Sequence, residues 1–270
     1  MLEYICTLYL EVTTMVDLNT PISAEISSTS SPEIVAQLRN QISAIHRFRN
    51  PRQERGIPLD IPGLADLFPQ GQLPYGSVVE WFAEGCGTGV EILSLQTGWA
   101  ACRRGRSLVI VDPLREVYPP VLVQLGINLK RVVFIHPSTK TDTLWTIDQS
   151  LRCSAVGAVW SSLESVDPVN HRRWQLASEC GGTLGGFVRP LKARKEPSWS
   201  EFRLLVQPMA LPIGETGSQR RRIQVTLFRA PGLWEPITRE VWIDDPTDRL
   251  PDLRRVETPK LCLQFRKTGA

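Results

Sequence analysis

Five short apolar runs recur down the middle of the chain: "GSVVEWF" (76–82), "RSLVIVD" (106–112), "RVVFIHP" (131–137), "AVGAVW" (155–160) and "GGFVRP" (185–190). "RSLVIVD" is apolar without alternation, so both of its faces must be covered. Helix-length segments separate the runs. One spans about 90–103 and buries Ile92, Leu93, Leu95 and Trp99; a short one opens at Pro119 and reaches Leu125. A third is marked by Leu144, Ile147 and Leu151, and the last is "NHRRWQLASEC" (170–180). Strands joined through helices run parallel, with right-handed crossovers. After residue 200 the pattern changes. "FRLLVQPMAL" and "RRIQVTLFRAP" flank the Gly-rich "PIGETGSQR", and Ile223, Val225 and Leu227 alternate with polar residues, as in a half-exposed hairpin at a sheet edge. The expected class is α/β: a mostly parallel sheet covered by helices on both faces, with a C-terminal antiparallel hairpin.

The rest of the chain reads as additions to this core. Residues 1–31 hold four acids (Glu3, Glu11, Asp17, Glu25) and no Lys or Arg, and "VDLNTPISAEISSTSS" (16–31) reads as a flexible lead-in. A signal peptide or transit peptide needs positive charge there, so the chain is expected to be cytoplasmic. Met15 is an alternative start. Ser31-Pro32-Glu33 signals a helix start, and Val35, Leu38, Ile42 and Ile45 lay an apolar stripe along a helix over 32–50. That stripe fits packing on its own domain or binding a partner. The core is expected over 56–245. A tail of acids and prolines follows over 246–270, with "LCLQF" near its end as a docking segment.

No run approaches the roughly 18 apolar residues of a membrane span. The six cysteines form no CxxC pair and the three histidines lie far apart, so no metal site is expected. Cys86 stands in a glycine turn before a helix, where a thiol is activated most easily, but no base can be assigned to it.

That turn is the chain's most chemical stretch. "EWFAEGCGTGVEILSLQ" (80–96) has the layout of a phosphate-binding loop: strand, glycine turn, helix. Such a loop needs Lys and then Ser or Thr, and here Val90 and Glu91 stand instead. Gly85, Gly87 and Gly89 still permit the sharp turn, so Gly85, Gly87, Gly89, Val90 and Glu91 form a vestigial loop. No cofactor is expected.

Over roughly residues 56–230 the order of motifs resembles the RecA recombinase core. "IPLDIPGLADLFPQGQLPYGSVVE" is similar to that family's lead into its phosphate loop, and "VIVD-PLREVYPPVLVQLGINLKRVVFIHP" keeps its spacing of Asp112, Pro119, Leu125-Gly126 and Pro137. Within RecA-like proteins, "GFVRP", a "PS…RL" segment and a "RRI-V" strand are similar to the ImuA family of bacterial mutagenesis cassettes. This resemblance implies several partners: an ImuB-like Y-family polymerase homologue, an error-prone replicative-type DNA polymerase, and RecA or single-stranded DNA. It also implies further losses. Leu114 stands where the family positions water, and Trp160, Ser161 and Ser162 stand where the fourth strand should end in a metal-linked Asp. Glu116 and Glu164 are the acids nearby in sequence. The reading is a non-catalytic adaptor in translesion synthesis. An ATP-dependent recombination mediator and a cell-division inhibitor of the SulA type are the alternatives.

The loop after the fifth strand faces DNA in RecA-like folds. Here it is "RPLKARKEPSW", which places Arg189, Lys192, Arg194 and Lys195 beside Trp199. Cations next to an aromatic suit a nucleic-acid backbone and a stacked base. Arg220, Arg221 and Arg222 add charge on the hairpin, and a solvated charged surface is the plainer reading of both groups. Of eight tryptophans, Trp234 and Trp242 lie in the Pro-broken "GLWEPITREVW" and are candidate partner anchors.

Overall fold

The computed structural model describes residues 56–210 and 220–244, apart from Cys86 and Arg104. The lead-in, the helix over 32–50, the hairpin turn and the tail lie outside the described residues.

A small antiparallel pair, β1 (Gly56–Pro58) and β2 (Gln72–Pro74), precedes the main sheet, with the short 3-10 turn Ala65–Leu67 at "LADLF" between them. The sheet itself begins with β3 (Val78–Ala83), followed by helix α1 (Val90–Ala101), β4 (Ser107–Val111), α2 (Pro119–Gln124) and β5 (Val132–Ile135). Helix α3 (Lys140–Arg152), β6 (Val156–Ser162), α4 (Pro168–Gly181), β7 (Leu184–Pro190) and β8 (Phe202–Pro208) continue it. Strands β9 (Arg220–Arg229) and β10 (Ile237–Asp244) complete it. The strand order is β10-β9-β8-β3-β7-β6-β4-β5. Strands β3 to β8 pair in parallel, while β8–β9 and β9–β10 are antiparallel. The α/β class expected from the sequence is the class observed. One edge differs. The hairpin does not end the sheet, because "ITREVWID" pairs with β9 as an outer strand.

Strand periodicity divides the core in two. On one face Val79, Trp81, Leu108, Ile110, Ala158 and Trp160 pack under α1. On the other, Val78, Val109, Val111, Val159 and Phe187 meet Ile147 and Leu151 of α3 and Trp174 and Ala177 of α4. Both faces of β4 are therefore dry, which is why its sequence does not alternate. Each fully buried Leu or Val contributes about 1.5–3 kcal/mol. Strand β9 alternates: Ile223, Val225 and Leu227 are buried, while Gln224 and Thr226 are half-buried.

Local signals fix the helix starts. Thr139 caps α3 by accepting from the Asp142 N–H, and its hydroxyl donates back to the Asp142 carboxylate at 2.7 Å. Asp167 caps α4 with Pro168 in the first turn, so this helix starts two residues before "NHRRW". Among the described residues no helix is long and apolar enough to cross a membrane.

Candidate nucleic-acid interface and the glycine turn

Three left-handed glycines shape the turn after β3, with φ of 77° at Gly85, 74° at Gly87 and 83° at Gly89. Gly89 precedes α1 without a side-chain cap. Val90 is 1% exposed and belongs to the core under the sheet. Glu91 is half-buried, and its backbone carbonyl accepts from the Ser94 hydroxyl at 3.0 Å.

The neighbouring positions are also structural. Trp160 Nε1 donates to Ser94 Oγ at 2.8 Å, tying β6 to α1. Ser161 Oγ donates to the Val111 carbonyl at 2.7 Å. The Asp112 carboxylate accepts from the Val117 N–H at 2.9 Å, bracing the loop after β4. Leu114, Glu116 and Glu164 are exposed. Strands β9 and β10 close one flank of the turn. A Cβ on Gly89 would stand 2.6 Å from Ile243 Cδ1, and Arg221 donates to the Gly87 carbonyl at 3.2 Å.

On the opposite face of β3 lies a group that the sequence did not reveal as a site. Val78, Glu80 and Phe82 share that face, and Glu80 is fully buried there. Its Oε1 accepts from Arg189 Nη1 at 2.7 Å and lies 3.1 Å from His171 Nε2 of α4. Its Oε2 lies 2.9 Å from Arg203 Nε of β8 and accepts from Ser198 Oγ at 2.7 Å. Burial alone would push the Glu80 pKa up, but the bonds and charge of His171, with Ser198 and Arg189, bring it down to about 2. Arg189 also pairs with Glu196, and Arg203 donates to the Ala193 carbonyl at 3.4 Å. One interior carboxylate thus ties down both ends of the segment between β7 and β8.

Arg189 was expected on the nucleic-acid surface. It is 1% exposed at the end of β7 with its guanidinium committed to Glu80 and Glu196, so it braces the loop from inside. The other loop residues point outward. Ala193 is buried beneath the 3-10 turn Leu191–Lys195, while Lys192, Arg194 and Lys195 are exposed. Arg194 rests over the Phe228 ring at 4.5 Å. Trp199 is 48% exposed and has the Arg172 guanidinium 4.7 Å above its ring. Arg229 Nη1 donates to the Ser198 carbonyl at 2.8 Å. Arg172 and Arg229 were not singled out in the sequence, although "NHRRW" carries two adjacent arginines on the helix that precedes β7. Lys192, Arg194 and Lys195, with Glu84 and Gly85, wall a depression of about 690 Å³.

The hairpin arginines are placed elsewhere. Arg220 starts β9, and Arg221 meets the glycine turn from the β9 side. Arg222 forms a two-pronged pair with Glu240 of β10, at 2.6 and 3.0 Å, and lies 6.0 Å from the Trp242 ring. Trp234, in the connection between β9 and β10, is 66% exposed, and Trp242, on β10, is 40% exposed. No group of three or more His, Cys, Asp or Glu side chains among the described residues is placed to hold a metal.

No protein-family model matches the chain. A crystal structure of SulA from Pseudomonas aeruginosa superposes with a TM-score of 0.36 at 16% identity, covering 42% of this chain and 97% of that one. Protein ImuA, from two strains of Caulobacter vibrioides, is 27% identical over an alignment of 202 residues that covers 64% of this chain and 79% of ImuA. Over that stretch the chain is a sequence relative of ImuA.

Proposed function

We propose that the protein is a non-catalytic RecA-like adaptor in SOS-type translesion synthesis and damage-induced mutagenesis. It binds an ImuB-like Y-family polymerase homologue, works beside an error-prone replicative-type polymerase, and touches single-stranded DNA or RecA. The relationship to ImuA supports the setting. The observation that carries the binding role is the β7–β8 loop. It presents Lys192, Arg194, Lys195 and Trp199 outward while its stem is tied to buried Glu80. Cations match the phosphate backbone and an exposed indole stacks on a base of any sequence. A loop already held in place loses less conformational freedom when it binds.

The absence of catalysis follows from the chemistry of the glycine turn. Val90 offers no charge or donor and is packed into the core, and Glu91 adds a carboxylate beside a phosphate already negative. Trp234 in the β9–β10 connection and Trp242 on β10 are the anchors offered to the polymerase homologue.

The test is co-expression with the polymerase homologue, with complex formation read by size-exclusion chromatography and ATP turnover measured on the same sample. A stable complex without turnover is expected. Steady turnover abolished by Glu116→Ala or Glu164→Ala would replace this reading with an ATP-driven recombination mediator.

A further inference from the structure

The glycine turn and the cationic loop lie far apart in sequence, yet they wall the same depression. Glu84 and Gly85 stand on one side, Lys192, Arg194 and Lys195 on the other. Three cations there face one carboxylate. At Gly85 nothing lies within 4 Å of where a Cβ would stand, so its backbone is open to close approach. The opposite flank is closed, because Ile243 packs against Gly89 and the Gly87 carbonyl is taken by Arg221. A triphosphate wrapped by the whole turn meets that packed flank; a single anion resting at the Gly85 end does not. Arg194 is steadied by the Phe228 ring beneath it, so its charge is held near the depression rather than swept through solvent.

We infer that this depression seats one phosphodiester of a nucleic-acid strand, which continues along the loop to Trp199. The inference rests on the nucleic-acid reading of the loop and adds two elements to it. The glycine turn becomes part of the nucleic-acid site, and Glu84 becomes a brake. Its exposed carboxylate repels the incoming phosphate, weakening the grip and keeping it reversible.

Fluorescence anisotropy with a labelled oligothymidine strand tests this on the full chain. Glu84→Gln is expected to tighten binding about three- to fivefold at low salt, the size of one repulsion a few Å away in water, and to lose that gain at high salt. Gly85→Asp puts a carboxylate into the depression and is expected to weaken binding by about tenfold. Gly85→Asn, neutral and tolerant of the same backbone angle, is expected to bind as wild type and reports any folding defect. If Glu84→Gln and Gly85→Asp leave binding unchanged while the Lys192→Ala, Arg194→Ala, Lys195→Ala variant loses it, the loop reading survives and the seat is wrong. A wild-type protein that does not bind the strand overturns both. Displacement of the strand by ATP, with the same sensitivity to Gly85→Asp, assigns the seat to a free nucleotide and also overturns the inference.

Discussion

Ser198 Oγ donates to Glu80 Oε2 across 2.7 Å and pins the end of the cationic loop to the interior of the sheet. The start of the loop is pinned to the same carboxylate by Arg189 at 2.7 Å. Replacing Glu80 by Gln removes the charge that Arg189 and Arg203 share. Breaking a buried ion pair from one side costs about 3–5 kcal/mol. Glu80→Gln is therefore expected to lower the urea midpoint by that equivalent, while Ser198→Ala, which removes one hydrogen bond, is expected to cost about 1–2 kcal/mol.

Glu80 also sets an acid limit on stability. Its pKa is about 2 in the folded chain against an ordinary value near 4.5. A carboxylate with a lowered folded pKa contributes stability that is present above pH 4.5 and is lost as pH falls toward 2. The contribution is about 3 kcal/mol. Denaturation midpoints measured from pH 7 to pH 2.5 are expected to fall, and in Glu80→Gln this component of the fall is absent.

Glu201 acts in the opposite direction. Burial, with the Glu179 carboxylate adding to it, pushes its pKa up to about 7. The folded state then holds a proton that the unfolded chain releases, so stability is full below pH 4.5 and declines as pH rises through 7. Glu201→Gln is expected to stabilise the protein at pH 8 by about 1 kcal/mol or more and to leave it unchanged at pH 4.

Trp242 and Trp234 are expected to behave as interface anchors. Truncating either to Ala is expected to weaken the complex with the polymerase homologue by about 2 kcal/mol or more, beyond whatever it costs the free protein in melting temperature. Isothermal titration of the purified partners measures the first quantity and thermal unfolding the second.

The centre of the sheet was legible because its strands are buried on both faces. A run such as "SLVIV" has one stable environment, and α1 and α3 provide it. Strand β10 was not legible. Gly232 and Pro236 break the pattern just before it, and Arg239 and Trp242 break its apolar alternation; only pairing with β9 brings Val241 and Ile243 inside. Arg189 was misplaced because it stands beside a proline and a basic loop, whereas its partner lies on another strand. The signal that would have placed it was "VVEWF". A lone acid within a continuous buried strand must find a buried cation, since an unpaired charge is not tolerated there. Exposure of Lys192, Arg194 and Lys195 followed from their sequence, but the depression they share with Gly85 is a product of the β3–β7 pairing.

The most direct measurement is the salt dependence of single-stranded DNA binding, taken for wild type and for the Lys192→Ala, Arg194→Ala, Lys195→Ala variant. Each phosphate contact on a single strand contributes about 0.7 to the slope of log K against log salt, so loss of three cations is expected to reduce the slope by about 2 and weaken binding at every salt concentration. Equal affinity and equal slope in the two proteins would contradict the account.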